Sequence, residues 1–140
     1  MSGSTTPFDK KPGRRRKMYG KKVWFFPDGD RPPLGDSAMK GHESYVVLNP
    51  NEADAHVEFT LYFEDREPIR SIRMTVGRER VKCFQTHNPD HFGVHTLPIA
   101  TQYAAKVESD VPVIVQYGRL DERQVNLAYY TTMGYPIDDC

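Results

Sequence analysis

The sequence predicts an all-β fold, a single-domain antiparallel β-sandwich or jelly roll, and three observations carry that prediction. Ala55, Val57, Phe59, Leu61 and Phe63 alternate without a break with His56, Glu58, Thr60, Tyr62 and Glu64, the period of a strand with one face in a core. Val111, Val113, Ile114 and Val115 form a nearly unbroken apolar run, which a strand buried on both faces, or nearly so, requires. Between such segments lie turns dense in Pro, Gly, Asn and Asp, and no stretch holds a helical period long enough for a convincing helix. At 140 residues the chain is one domain, large enough to bury a core without disulfide staples.

Residues 1–22 hold eight of the nineteen basic residues against a single acid, Asp9, so the zero net charge hides a body of net −7. With Gly, Pro and Ser but almost no apolar residues, this segment reads as a solvated, disordered leader. A basic leader on an acidic body is also suited to touch an anionic membrane surface or nucleic acid without sequence preference. The sandwich is expected over 23–135, with 136–140 a short C-terminal tail. The apolar run 23–26 is too short for a signal-peptide core of about 7–15 residues or a membrane span of about 20, so a soluble, cytoplasmic protein is expected. Cys83 and Cys140 are expected to be free thiols in a reducing compartment rather than a disulfide.

Taken in order, 23–26 is the first strand, with ordered structure expected from Trp24. Pro27, Gly29, Pro32, Pro33 and Gly35 then exclude regular structure and predict a long loop over 27–37. The second strand is 45–48, entered through His42 and Glu43. After an Asn49-Pro50-Asn51 turn comes the alternating strand 55–63, which turns back at Asp65 to Pro68 so that Ile72, Met74 and Val76 pair against it. A brief strand over 80–84 places Val81 and Cys83 on one side. Residues 86–98 are irregular, and alternation resumes over 99–108. The apolar strand starting at Asp110 ends at Gln116, Arg119, Asp121 and Arg123, which put polar groups at its rim. A single helical turn over 121–128 and a last strand over 127–132 complete the chain.

Cys83, His87, His91 and His95 recur every four residues, the spacing that would align metal ligands on a helix. Asn88-Pro89 and Gly93 break such a helix, and the His-x-His pattern followed by Glu of a metal-binding cupin is absent, so no metal or other cofactor is expected. There is no nucleophile elbow, no phosphate-cradling loop and no Cys and His pairing that marks an activated nucleophile. Glu43 or Asp121 as a general base is all that an enzyme reading has.

Together, Trp24, His42-Glu43, Asn49, the segment from Asp54 to Pro68, Arg80 and the segment from Ser109 to Arg123 resemble the sensory rhodopsin transducer family. The likeness runs over about 23–135 and leaves out the basic leader and 86–95. The resemblance implies a soluble β-sandwich that assembles into a cyclic tetramer. The family's named member signals downstream of a membrane photoreceptor, while the wider family is similar to small-molecule-binding domains proposed to recognise sugars or related metabolites.

The residues themselves fit such a ligand. Sugar recognition needs planar polar groups that pair with adjacent hydroxyls and an aromatic face to stack on. Arg119, Asp121, Gln116, His42, Glu43, Asn49 and Arg80 are candidates for the first, Trp24 for the second. Each has a structural alternative: Trp24 as core, Arg119 with Asp121 as a bridge between strands or subunits, Glu43 and His42 as ties for the long loop, Arg80 as a structural contact. The apolar run together with Tyr117, Tyr129 and Tyr130 predicts a symmetric homo-oligomer. Two function classes follow, a sugar-like ligand sensor and an interaction protein whose oligomer and basic leader engage a membrane receptor or DNA. A carbohydrate-active enzyme stands third.

Overall fold

Strand β6 (Gln102–Asp121) is twenty residues long and belongs to both layers of the fold. In this computed structural model, residues 17–36, 38–121 and 128–138 are described. Around β6 stand β1 (Lys21–Asp30), β2 (His42–Asn49), β3 (Ala55–Tyr62), β4 (Ile69–Val76), β5 (Arg80–Gln85), β7 (Ala128–Met133) and β8 (Tyr135–Ile137). The first half of β6 lies between β1 and β3, with Ala105 opposite Phe26 and Val107 opposite Phe59. Its second half lies between β2 and β7, with Val115 opposite Val47 and Tyr117 opposite Thr132. One layer therefore runs β4-β3-β6-β1-β8 and the other β5-β2-β6-β7, every pair antiparallel. This is the predicted β-sandwich.

The break expected between two strands near residue 109 does not occur, because the chain stays extended through Asp110, Val111 and Pro112 while it passes from one layer to the other. A proline is tolerated there because the crossing point needs no ladder donor, and the Pro112 carbonyl accepts from Asn51 Nδ2 at 2.8 Å. β1 likewise outruns its expected end. A register shift between Phe26 and Gly29 takes up Pro27 and Asp28 as a bulge, so a stretch read as loop is strand to Asp30.

The inward residues of both layers meet in one core, including Phe26, Tyr45, Phe59, Phe84, Val107 and Val115, all buried. On β5, Phe84 alone turns fully inward, and Val81 and Cys83 are exposed, because among the described residues β5 is an edge strand paired only with β2. The sheet also takes in residues on both sides of the expected 23–135 body. Tyr19 exchanges hydrogen bonds with the Asn51 side chain, Lys21 and Lys22 lie in β1, and Tyr135–Ile137 pairs with β1 where a tail was expected. Lys21 Nζ also meets Asp138. Residues 1–16 of the leader and Cys140 lie outside the described residues, as do residues 122–127 of the helical turn expected over 121–128, whose ends Asp121 and Ala128 are strand.

Within 86–98 the chain makes one helical turn, α1 (Pro89–Phe92), and a 3-10 turn (Gly93–His95). Asn88 caps α1 by accepting from Asp90 N, Pro89 starts it, and Gly93 ends it, so Asn-Pro and Gly bound a helix here instead of abolishing it. Phe92 is thereby delivered into the core against Phe59, ring centroids 5.4 Å apart.

Candidate functional site

The ends of β1, β2, β5 and β6 and the beginning of β6's first half meet at one end of the sandwich, where a carboxylate lies in the core. Glu43 is fully buried, on the inward face of β2. Its Oε1 accepts from Tyr117 Oη at 2.6 Å, and its Oε2 accepts from Thr86 Oγ1 at 2.6 Å and Tyr103 Oη at 2.8 Å. Since the single Tyr103 proton is committed to Glu43, the 3.1 Å contact between the Tyr45 and Tyr103 hydroxyls has Tyr45 as donor. Burial pushes the Glu43 carboxyl above its ordinary range, and the hydrogen bonds from Thr86, Tyr117 and Tyr103 hold it part of the way back. Burial and the adjacent Glu43 charge raise the Tyr45 and Tyr117 phenols; for Tyr103, burial and Tyr45 come first and Glu43 next. The phenols therefore stay protonated and remain donors.

The network reaches the surface through Tyr117. Its hydroxyl also accepts from Asp30 N at 3.3 Å and sits 3.5 Å from Arg119 Nη1, the outer limit of a hydrogen bond. Arg119 is opposite Glu43 in the β2–β6 register and shares its inward face, but at the strand's end its guanidinium turns over the Tyr130 ring, 4.8 Å from the centroid. Burial works against the Arg119 charge, yet Tyr117, Tyr130, Asp28 and Asp30 together hold it more firmly protonated than usual. Gly29 passes so close over Tyr103 that a Cβ would overlap the ring. Because two hydroxyl contacts pin that ring, Gly29→Ala should cost about 1–3 kcal/mol in chemical denaturation. A cost near zero would mean that the ring is free to move.

The eight residues expected in a site divide accordingly. Glu43 and Arg119 are brought together, and His42 and Asp121 share their end of the sandwich. Gln116 lies farther along β6 on the other face, between Val46 and Met133. Trp24 is core, its indole Nε1 donating to the Lys21 and Val113 carbonyls at 3.1 and 3.0 Å. Asn49 is buried at the opposite end, where Nδ2 donates to the Ala53, Val76 and Gly77 carbonyls and Oδ1 accepts from Asn51 N, knitting β2 to β4. Arg80 is exposed there and donates to the Arg78 and Glu79 carbonyls. No group of three or more His, Cys, Asp or Glu among the described residues is placed to hold a metal. His91 Nδ1 is already occupied, accepting from Gln85 N at 3.0 Å. Tyr103, Tyr117 and Thr86 were not foreseen as partners of Glu43, nor Tyr45 as a partner of Tyr103. Their signal was available, since three tyrosines at core-facing positions each need a buried partner for the hydroxyl.

A separate open groove of about 380 Å³ lies on the outer face of the first layer, lined by residues including Lys22, His56, Glu58, Glu108 and Asp110. Several of its polar groups are met internally, His56 Nδ1 by Asp110 at 2.8 Å, Glu58 by Arg73 at 3.0 Å and Glu108 by Lys106 at 3.2 Å.

Fold and site together define a small antiparallel β-sandwich protein with a phenol-ringed carboxylate closing one end. A family model described as the Anabaena sensory rhodopsin transducer matches residues 19–136, and the chain belongs to that family. Among solved structures it is similar to one titled Anabaena sensory rhodopsin transducer, with 35% identity, covering 78% of this chain and 96% of the other, at a TM-score of 0.65. It is also similar to one titled Thermotoga maritima 1070, with 29% identity, 88% and 100% coverage, and a TM-score of 0.75. No curated protein matches. Among the described residues no helix is long and apolar enough to cross a membrane.

Proposed function

We propose that this chain is a non-enzymatic sensor that binds a sugar-like metabolite at the Arg119 end of the sandwich and acts in the cytoplasm as a homotetramer. The observation that supports it is the setting of Arg119. Its guanidinium is half-buried, stacked on Tyr130, flanked electrostatically by Asp28 and Asp30, and backed by a rigid hydrogen-bonded network. A planar donor beside an aromatic ring and carboxylates is the chemistry that vicinal hydroxyls engage. Glu43 is out of a substrate's reach, which counts against a carbohydrate-active enzyme. A thermal-shift screen of the full chain against monosaccharides, sugar acids and polyols tests this reading. One compound at a hundredfold excess over its Kd should stabilise by about 2.7 kcal/mol. Arg119→Ala should abolish the shift; a shift that survives the substitution places the ligand elsewhere, and none with any compound defeats the reading.

A second reading is favoured by β7, where every residue is exposed, and by the relative whose title names a sensory rhodopsin transducer. In it the oligomer docks on a membrane receptor, or the basic leader on nucleic acid. Deleting residues 1–16 should then abolish binding to anionic vesicles or DNA, and that binding should weaken steeply with salt. Under the sensor reading the same deletion leaves ligand affinity unchanged.

A further inference from the structure

Beside the carboxylate network, the same end of the sandwich carries a cluster of opposite character. Arg31 follows β1 and is fixed by its backbone, N donating to Thr101 O at 3.0 Å and O accepting from Ala100 N at 2.6 Å. Its Nη1 donates to Leu97 O at 2.6 Å, and Leu97 N donates to Thr86 O at 3.1 Å, which carries the guanidinium across to the segment bearing His87. Thr86 turns inward to Glu43, and His87 packs edge-on against His42, centroids 6.1 Å apart. His42 is on the outward face of β2, and its Nδ1 donates to Lys40 O at 2.8 Å, so that ring is also oriented.

Two nitrogens in this cluster are buried with no hydrogen-bond partner among the described residues, Arg31 Nε and His87 Nδ1. An arginine Nε–H is a donor at every pH and cannot be relieved by changing tautomer. A buried donor left unmet is rare and costly in folded proteins, so Arg31 Nε–H calls for an acceptor, and His87 Nδ1 in its N–H tautomer adds a second donor to the same cluster. The electrostatic setting agrees. Burial first, then Arg31, His42 and His91, hold His87 below its usual range, an excess of positive character that an anion would offset.

We infer that Arg31, His87 and His42 form a binding site for a small oxyanion, the carboxylate or phosphate group of a metabolite, with its oxygens accepting from Arg31 Nε–H and His87 Nδ1–H. A metal cation is disfavoured by the guanidinium, and an uncharged hydroxyl group answers only part of the cluster's charge. The site stands independently of the sugar-like ligand proposed at Arg119, whose guanidinium belongs to β6 and faces Tyr130.

The test is a titration of the full-length protein followed through its histidine ring signals by carbon–proton NMR. Inorganic phosphate and, separately, acetate and citrate are added up to about 10 mM against sodium chloride at matched ionic strength. The His87 signals should shift saturably with an oxyanion and not with chloride. Response to phosphate alone assigns a phosphate-bearing ligand, and response to the carboxylates assigns an acid. Arg31→Gln and His87→Gln should each weaken binding about tenfold or more, while Arg119→Ala leaves it unchanged. Should Arg31→Gln fail to fold for want of its bond to Leu97, His87→Gln decides, read through the ring signals of the adjacent His42, since His87 donates to no described residue. Shifts that do not saturate or that chloride reproduces overturn the site, as does saturable binding that persists in the folded variants.

Discussion

Glu43→Ala should destabilise the domain by about 3–5 kcal/mol, enough to lower its melting temperature by about 10 °C or more. The substitution leaves Tyr117, Tyr103 and Thr86 aimed at an empty acceptor position, while Tyr45 keeps its contact with Tyr103. Each stranded hydroxyl costs about 1 kcal/mol or more, and the void adds to that. Against a total stability of about 5–15 kcal/mol for a domain of this kind, such a loss is severe. Urea denaturation of the two proteins gives the comparison. A difference under about 1 kcal/mol would mean that water fills the vacated position and satisfies all three donors.

The conservative Glu43→Gln isolates the charge. The folded-state pKa of Glu43 is raised above its ordinary value of 4.5, so its contribution to stability is fully present below about 4.5 and is lost as the pH rises through the folded value. Between pH 4 and neutrality, wild type should therefore lose stability relative to Glu43→Gln, whose amide does not titrate over that range. A constant difference across the range would show that the three hydroxyl donors cancel the burial penalty completely. His87, held low chiefly by burial, works in the opposite direction and contributes equally to both proteins, so the difference belongs to Glu43.

The sandwich was legible because its strands obey period two. β3 is inward at Ala55, Val57, Phe59 and Leu61, as its alternation requires. What did not follow from alternation was continuity. Pro27 read as the start of a loop and the chain was divided near residue 109, whereas Pro27 sits in a bulge and the strand runs on through the layer crossing at Pro112. The site was only half legible. Arg119 and Glu43 were singled out as polar groups at strand ends, and register opposes them. Trp24, Asn49 and Arg80 were equally polar or aromatic, but they satisfy local carbonyls at the other end or in the core. Nothing in composition separates a side chain that bonds its own turn from one that is held ready for a partner. That difference depends on which backbone carbonyls the fold brings within reach.

The oligomer is the proposal with the largest expected change in an observable, a mass that should fall from four copies to one. From Ala128 to Met133 every residue of β7 is exposed, with Tyr129 at 68% and Met133 at 51%, and Tyr135 follows at 69%. Among the described residues β7 pairs only with β6, so its outer edge is a row of backbone donors and acceptors open to pairing as well as an apolar surface. A second copy supplies both what the edge lacks and a cover for the tyrosines, and the family's cyclic tetramer is the assembly expected for it. Covering a large apolar side chain is worth about 1.5–3 kcal/mol, so Tyr129→Asp with Met133→Lys should remove more than about 3 kcal/mol per copy, a factor beyond about 100 in association. Neither side chain belongs to the core, so the double variant should stay folded by circular dichroism while light scattering reports a monomer at micromolar concentration. Tyr130 is left in place because it carries the Arg119 stack. A wild-type protein already monomeric at that concentration would overturn the tetramer for this chain. An undiminished mass in the double variant would move the interface off β7.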